Sequence, residues 1–168
     1  MNLLKLLWLV VAVTLVVPAV AQTSASGKAT TTGDSASMNM QILRDKVRAD
    51  KKLVVAQNMQ LTDSEASAFW PIYEAYQTDL GKINERMKKV ILAYADAYNS
   101  GPVTNEVAKK LLEDWLGTQE ADVQLMRSYV PKFEKALPDV KVARYIQIES
   151  KIRAIVRYEL DSQIPLVE

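Results

Sequence analysis

The side chains that could do chemistry in this chain are hydroxyls, amines and carboxylates, because the sequence contains neither cysteine nor histidine. Without those two residue types, no Ser–His–Asp or Cys–His nucleophile can be assembled. Ser150 and Lys151 are adjacent in a predicted helix, where neighbouring side chains point apart. The acidic pair Glu113-Asp114 falls on a predicted helix surface with no sign of a cleft. We therefore expect that the protein is not an enzyme.

Metal and cofactor sites find equally little support in the sequence. Met38, Met40 and Met59 are too few and too poorly phased to form a soft-metal site. The spaced Asp, Asn and Glu ligands of a calcium loop do not occur, and the five glycines form no phosphate-binding loop. We expect no metal and no cofactor, and only a weak site made of carboxylates alone is left open.

The first 21 residues have the layout of a secretory signal peptide. Lys5 precedes an apolar run over residues 6–17, and Ala19 and Ala21 form an A-x-A cleavage site. Cleavage after Ala21 would make Gln22 the first residue of the secreted protein. The apolar run is shorter than the roughly 20 residues of a transmembrane helix, and an uncleaved anchor is the alternative. Beyond this run, no apolar stretch is long enough to span a bilayer.

Residues 22–37 differ in composition from everything that follows. Thirteen of these sixteen residues are Ser, Thr, Gly or Ala, a composition that cannot bury enough apolar surface to offset its ordering entropy. We therefore predict a flexible linker, followed by a single helical domain over residues 38–168. Lys5 is the only charge before residue 22, so the secreted chain holds 20 acidic and 20 basic residues. That balance argues against nucleic-acid binding.

From residue 38 onward, the apolar residues recur with helical period and predict four helices. The first spans residues 38–59 and is the most basic segment. Thr62-Asp63-Ser64-Glu65 is a capping box, which begins the second helix. That helix ends near residues 99–102, and Thr104 caps the third. One face of the first helix is formed by Met40, Leu43, Val47 and Val54.

The second and third helices carry heptad seams, the pattern of helices packed about 20° apart. Pro71 and Pro131 interrupt these helices and should kink or split them. The seam of the second helix consists of Phe69, Tyr73, Tyr76, Leu80, Ile83, Met87, Val90, Tyr94 and Ala97. The seam of the third consists of Leu112, Leu116, Gln119, Val123, Met126, Val130, Phe133 and Leu137.

The fourth helix opens at Pro138 and ends by residues 161–165. Long, bent helices with few loops predict an all-α fold in the form of an elongated, curved bundle. Because so thin a body buries a small fraction of its apolar side chains, we expect a homodimer. The apolar face of the fourth helix is formed by Tyr145, Ile148, Ile152, Ile155 and Val156.

Some apolar residues are open to two interpretations. Leu111 and Trp115 widen the stripe of the third helix beyond what a two-helix seam requires. They are either ordinary core or an exposed patch used for binding. The tyrosines of the second helix are either core residues or an adaptable contact surface. We favour core for both groups; the tyrosines are Tyr73, Tyr76, Tyr94 and Tyr98.

The pentapeptide Leu61-Thr62-Asp63-Ser64-Glu65 resembles the Leu-Thr-x-x-Gln motif of the Spy/CpxP family of small periplasmic chaperones and stress regulators. Glu65 stands where that family has Gln, and either residue can complete the capping box. Leu137-Pro138-Asp139-Val140-Lys141 stands where a second copy would open the last helix, with Pro138 for Thr and Lys141 for Gln. Residues 69–73 and 143–149 add to the resemblance, which covers roughly residues 38–165.

The resemblance implies an all-α, ATP-independent cradle, usually an antiparallel homodimer, that holds unfolded proteins on a concave face of mixed apolar and basic groups. Positive charge would attract acidic unfolded chains, and modest apolar patches would hold them. The alternative is that these charges form ordinary solvated faces, with Glu149 and Arg153 a surface pair of little energetic value. The basic candidates are Arg44, Arg48, Lys51, Lys52, Arg144, Lys151, Arg153 and Arg157.

Two functions therefore remain open. The first is a periplasmic holdase that binds unfolded client proteins. The second is an envelope-stress regulator that docks onto the periplasmic domain of a membrane sensor protein. A holdase protects several unrelated clients at near-stoichiometric amounts, whereas a regulator binds one partner tightly and gives no general protection.

Overall fold

The computed structural model describes residues 48–167, in which all of the regular structure is helical. The helices are α1 over residues 48–59, α2 over Asp63–Ser100, α3 over Asn105–Glu134 and α4 over Asp139–Asp161. The predicted all-α bundle of four helices is confirmed. The predicted signal peptide, the predicted linker and residues 38–47 of the predicted first helix, which include Arg44, lie outside the described residues. In the range that the structure covers, no helix is long and apolar enough to cross a membrane.

The start of α2 is fixed by the predicted capping box. The Thr62 hydroxyl accepts from the Glu65 amide at 3.3 Å, and the Glu65 carboxylate accepts from the Thr62 amide at 2.7 Å. Two of the amides that a helix start leaves unpaired are thereby satisfied. At the far end, α2 stops at Gly101, whose φ of 136° is strained for any residue with a Cβ. Thr104 then caps α3 by accepting from the Val107 amide.

Both long helices continue through their prolines. Pro71 lies inside α2 and Pro131 inside α3, and neither helix is split there. Of the two outcomes expected at these prolines, the split does not occur, and a kink stays a prediction. Pro138, predicted as the first residue of the last helix, is its N-cap residue, and α4 begins one position later, at Asp139.

The core lies at one end of the bundle, where the C-terminus of α1 and the N-termini of α2 and α4 meet the end of α3. Its centre is a group of aromatic rings from three helices. Phe133 and Tyr145 have ring centroids 4.7 Å apart, and Phe69 lies 5.2 Å from Tyr145. The buried members of this core are Val55, Met59, Phe69, Tyr73, Tyr76, Leu80, Tyr129, Phe133, Leu137, Val142 and Tyr145.

The predicted seam of α2 is correct in phase. Phe69, Tyr73, Tyr76 and Leu80 are buried, and the seam residues beyond them are half-buried against α3. Core placement is confirmed for Tyr73 and Tyr76, whereas Tyr94 and Tyr98 are only half-buried.

The predicted apolar faces of α1 and α3 agree with the structure only in part. Of the α1 face, Met40, Leu43 and Val47 lie outside the described residues. In α1, Val55 and Met59 are buried, whereas Val54 is 41% exposed. In α3, Phe133 of the predicted seam is buried, and Gln119, Met126 and Val130 are half-buried. Thr118 and Tyr129, which the predicted seam did not include, are buried as well. Leu112, Leu116 and Val123, which also belong to the predicted seam, lie on the surface. The apolar face of α4 is likewise buried only at its start, because Ile155 and Val156 are exposed.

Candidate functional site

A charged cluster lies inside the four-helix end of the bundle. Glu149 of α4 is completely buried and accepts from Lys51 of α1 at 2.6 Å. Gln77 of α2 donates to the other carboxylate oxygen of Glu149 at 3.2 Å, and its own carbonyl oxygen accepts from Lys51 at 2.8 Å. Three helices thus meet at a closed ring of hydrogen bonds, and burial lowers the pKa of Lys51 against the opposing effect of Glu149.

Tyrosine hydroxyls surround this cluster. The Tyr145 hydroxyl accepts from Gln77 at 3.3 Å. The hydroxyls of Tyr73 and Tyr76 are buried nearby. Burial and the negative charge of Glu149 raise the pKa of all three tyrosines, so they remain neutral hydroxyls at physiological pH. The carboxylate of Glu149 is buried and already paired with Lys51. This arrangement can hold the three helices together, but it does not provide an unpaired carboxylate that could act as a base.

Arg153 does not pair with Glu149. The expectation that these two residues form a solvated surface pair is wrong. Arg153 of α4 donates instead to Asp122 of α3, and both side chains are largely covered. Glu149 points into the bundle because residues 145 and 149 share the face of α4 that packs on α2. Lys51 and Arg153, predicted to bind clients, are therefore parts of the folded interior.

The two pentapeptides that carry the family resemblance meet in space. Glu65, the last residue of the first, accepts from Lys141, the last residue of the second. This hydrogen bond and the one from the Thr62 amide lower the pKa of Glu65. Lys141 also donates to the carbonyl oxygen of Gln60 at 3.0 Å. Two of the three departures from the family motif, Glu65 and Lys141, are therefore complementary charges in one contact.

An apolar stripe runs along the outer face of α3. Leu112 is 57% exposed, Leu116 is 45% exposed and Val123 is 55% exposed. Trp115 lies beside them and is 44% exposed, so the interpretation of Trp115 as a core residue is wrong. Leu111, which was interpreted in the same way, is half-buried. We call Leu112, Trp115, Leu116 and Val123 the α3 stripe. Heptad-spaced apolar residues without a covering helix are typical of an interaction surface.

One cation lies directly beside the α3 stripe. Arg157 of α4 donates to the side chain of Gln119 at 2.7 Å, and Gln119 is the polar position between Leu116 and Val123. A charged group of α4 and apolar side chains of α3 therefore lie side by side at this point.

The other predicted cations are spread around the bundle. Arg48 is exposed and donates to Thr78 at 3.4 Å, and Arg144 donates to Gln60 at 3.3 Å. Lys151 is exposed. Lys52 pairs with Glu74 at 2.6 Å and lies 5.0 Å from the centre of the Trp70 ring. The structure therefore does not gather the predicted cations on one face.

Gln77 and Glu149 were missed as interior residues by sequence reasoning. A signal was present for Glu149, which stands between Ile148 and Ile152 and four residues after Tyr145, within the predicted apolar face of the last helix. A charge at such a position indicates a buried partner, because unpaired buried carboxylates are costly.

Among residues 48–167, no group of three or more acidic side chains is arranged to hold a metal ion. A scan against known protein families, a search of curated proteins and a search of solved structures found no match.

Proposed function

We propose that this protein is an ATP-independent holdase of the periplasm, which binds unfolded client proteins on the α3 stripe and its neighbouring cations. The observation that carries the proposal is the exposed heptad run of Leu112, Leu116 and Val123, with Arg157 held beside it by Gln119. The predicted signal peptide supports secretion, and the family resemblance supports the chaperone class.

The physical logic is one of weak, reversible contact. An exposed guanidinium attracts acidic segments of an unfolded chain, and the effect falls with ionic strength. Apolar side chains of the client then cover part of the α3 stripe, at about 25 cal/mol per Å² of apolar area removed from water. Because the stripe is narrow, the client is retained without being forced into one conformation.

The test is whether the protein suppresses the aggregation of two unrelated unfolding proteins, which is measured by light scattering. We expect protection of both at near-stoichiometric amounts and a clear loss in the variant Val123→Ser. Val140→Ser is the matched control, because Val140 is 76% exposed at the start of α4 and away from the stripe. If neither client is protected, while one membrane sensor domain is bound tightly, the regulator is the correct function.

We also propose that the protein forms a homodimer, as the narrow bundle and its exposed apolar residues favour. Chromatography with in-line mass measurement should give twice the chain mass at micromolar concentration. A monomer across that range would refute the dimer and leave the α3 stripe free for clients.

A further inference from the structure

The helix α1 lies in a groove between α2 and α4 and is held from both sides. On the α2 side, Lys51 and Lys52 reach Gln77 and Glu74. On the α4 side, Lys51 reaches Glu149. The chain that follows α1 is also bound by α4, because Lys141 and Arg144 donate to Gln60.

The groove beneath α1 is aromatic. Tyr73 of α2 and Tyr145 of α4 have ring centroids 6.0 Å apart, so together they bridge the two walls. Trp70 packs edge-on against Tyr73 at 5.3 Å and extends the aromatic surface along α2. Grooves of this kind bind one face of an amphipathic helix.

The groups of α1 that engage the bundle are spaced four residues apart. Lys51 is paired inside the bundle, and Val55 and Met59 are completely buried. Residues at this spacing lie on one helical face. The opposite face is open, since Leu53 is 57% exposed and Val54 is 41% exposed. The groove therefore accommodates a lysine and two apolar side chains that follow it at intervals of four residues.

The attachment of α1 is weaker than its number of contacts suggests. In the described residues it buries two apolar side chains, Val55 and Met59, and helices in proteins gain most of their stability from such packing. A buried ion pair contributes little net stability, although loss of one partner is strongly unfavourable. Elements of this kind open separately from the rest of a fold.

We infer that the groove between α2 and α4 is a peptide-binding site, which α1 occupies in cis and which takes up a partner helix with the same lysine and aliphatic spacing. The Lys51–Glu149 pair is the contact that keeps α1 in place. For the class of partner, an amphipathic segment of a client protein, we rely on the proposed function; the site itself rests on the geometry of α1.

Amide hydrogen exchange of the full-length protein tests whether α1 opens on its own. In the wild type, we expect residues 53–59 to exchange faster than the buried parts of α2 and α3. Lys51→Met should speed exchange in 53–59 by at least about tenfold, because Glu149 loses its cation. Lys52→Met is the matched control and should change exchange much less than Lys51→Met, since the Lys52–Glu74 pair is solvent-exposed and its loss leaves no buried charge without a partner.

A second measurement follows uptake of a partner helix. A fluorescent peptide with the sequence of residues 48–61 is titrated into each protein, and its anisotropy is recorded. We expect Lys51→Met to bind it with an apparent Kd about tenfold lower than wild type or Lys52→Met, because the competing helix in cis is loosened. The same peptide with methionine at position 51 should lose this advantage.

The double variant Lys51→Met/Glu149→Gln removes both charges and should return exchange in 53–59 to the wild-type rate or below. Equal exchange in wild type and Lys51→Met, a rise across α2 and α3 together with α1, or equal peptide binding by all proteins would overturn the inference. So would dimerisation of Lys51→Met without peptide uptake, which would assign the groove to a second copy. If the wild type protects no client while these results hold, the holdase fails and the groove stands.

Discussion

The two ends of this bundle are built from the same two long helices and differ in what covers them. At the end where α1 and α4 pack on α2 and α3, the core is closed by aromatic rings and by the buried pair of Lys51 and Glu149. At the far end, α2 and α3 form a hairpin in which Ala95 is fully buried while Leu112 and Leu116 are exposed. A continuous heptad pattern therefore yields a core only where further helices are present.

The largest expected difference between the ends concerns apolar truncation. Phe133→Ala should lower the free energy of unfolding by about 3–5 kcal/mol, because Phe133 is completely buried and its ring packs on Phe69 and Tyr145. Leu116→Ala in the hairpin should change it by less than about 0.5 kcal/mol. Urea unfolding followed by circular dichroism measures both. Equal losses would show that the α3 stripe is covered in solution.

The next difference concerns ion pairs. Glu149→Ala should cost about 3 kcal/mol or more, because it leaves Lys51 in the interior without its carboxylate. Asp114→Ala breaks the exposed hairpin pair with Lys110 and should cost less than about 1 kcal/mol. Thermal unfolding of both variants at one salt concentration gives the comparison. Similar costs would contradict the assignment of Glu149 to the interior.

The loss of a helix cap should lower the free energy of unfolding at both ends of the bundle, with a smaller difference between the ends than in the first two comparisons. Thr62→Ala removes one half of a reciprocal capping box at the packed end and should cost about 1 kcal/mol. Thr104→Ala removes a single hydrogen bond at the start of α3 and should cost about 0.5 kcal/mol. The two variants are compared by urea unfolding. A larger loss at Thr104 would reverse the expected order.

The smallest effect is a dependence on pH at the packed end. The pKa of Glu65 is lowered in the folded protein by Lys141 and by the Thr62 amide. A carboxyl group with a lowered pKa stabilises the fold above its unfolded value of about 4.3, and this stabilisation is lost as pH falls through the folded value. Glu65→Gln should therefore be less stable than wild type at pH 7 and equal to it in strong acid. A difference that persists in acid would show that the charge of Glu65 is irrelevant.

Much of the fold could be predicted from the sequence. The helix boundaries follow from local signals at Thr62, Gly101 and Thr104, each of which acts within one turn. The phase of α2 was also correct, because its aromatic residues recur without a gap. These features depend on neighbours in the chain, which the sequence shows directly.

The faces of α1 and α3 could not be predicted as well. Both helices have apolar residues in adjacent positions, such as Val54 and Val55 or Leu111 and Leu112. Periodicity shows which residues share a face, but it does not show which face meets another helix. The same limit applies to Lys51 and Arg153, whose partners lie in distant segments of the chain.

The joint between α1 and α2 has a mechanical consequence. Gln60 adopts a φ of 51°, and both its carbonyl oxygen and its side chain are held by α4. Glycine would relieve the strain of this conformation, but it would release the grip of Arg144. If α1 opens as inferred above, the bonds to Gln60 hold this joint in place and the helix turns about it. Met59, next to the joint, would then move less than Lys51.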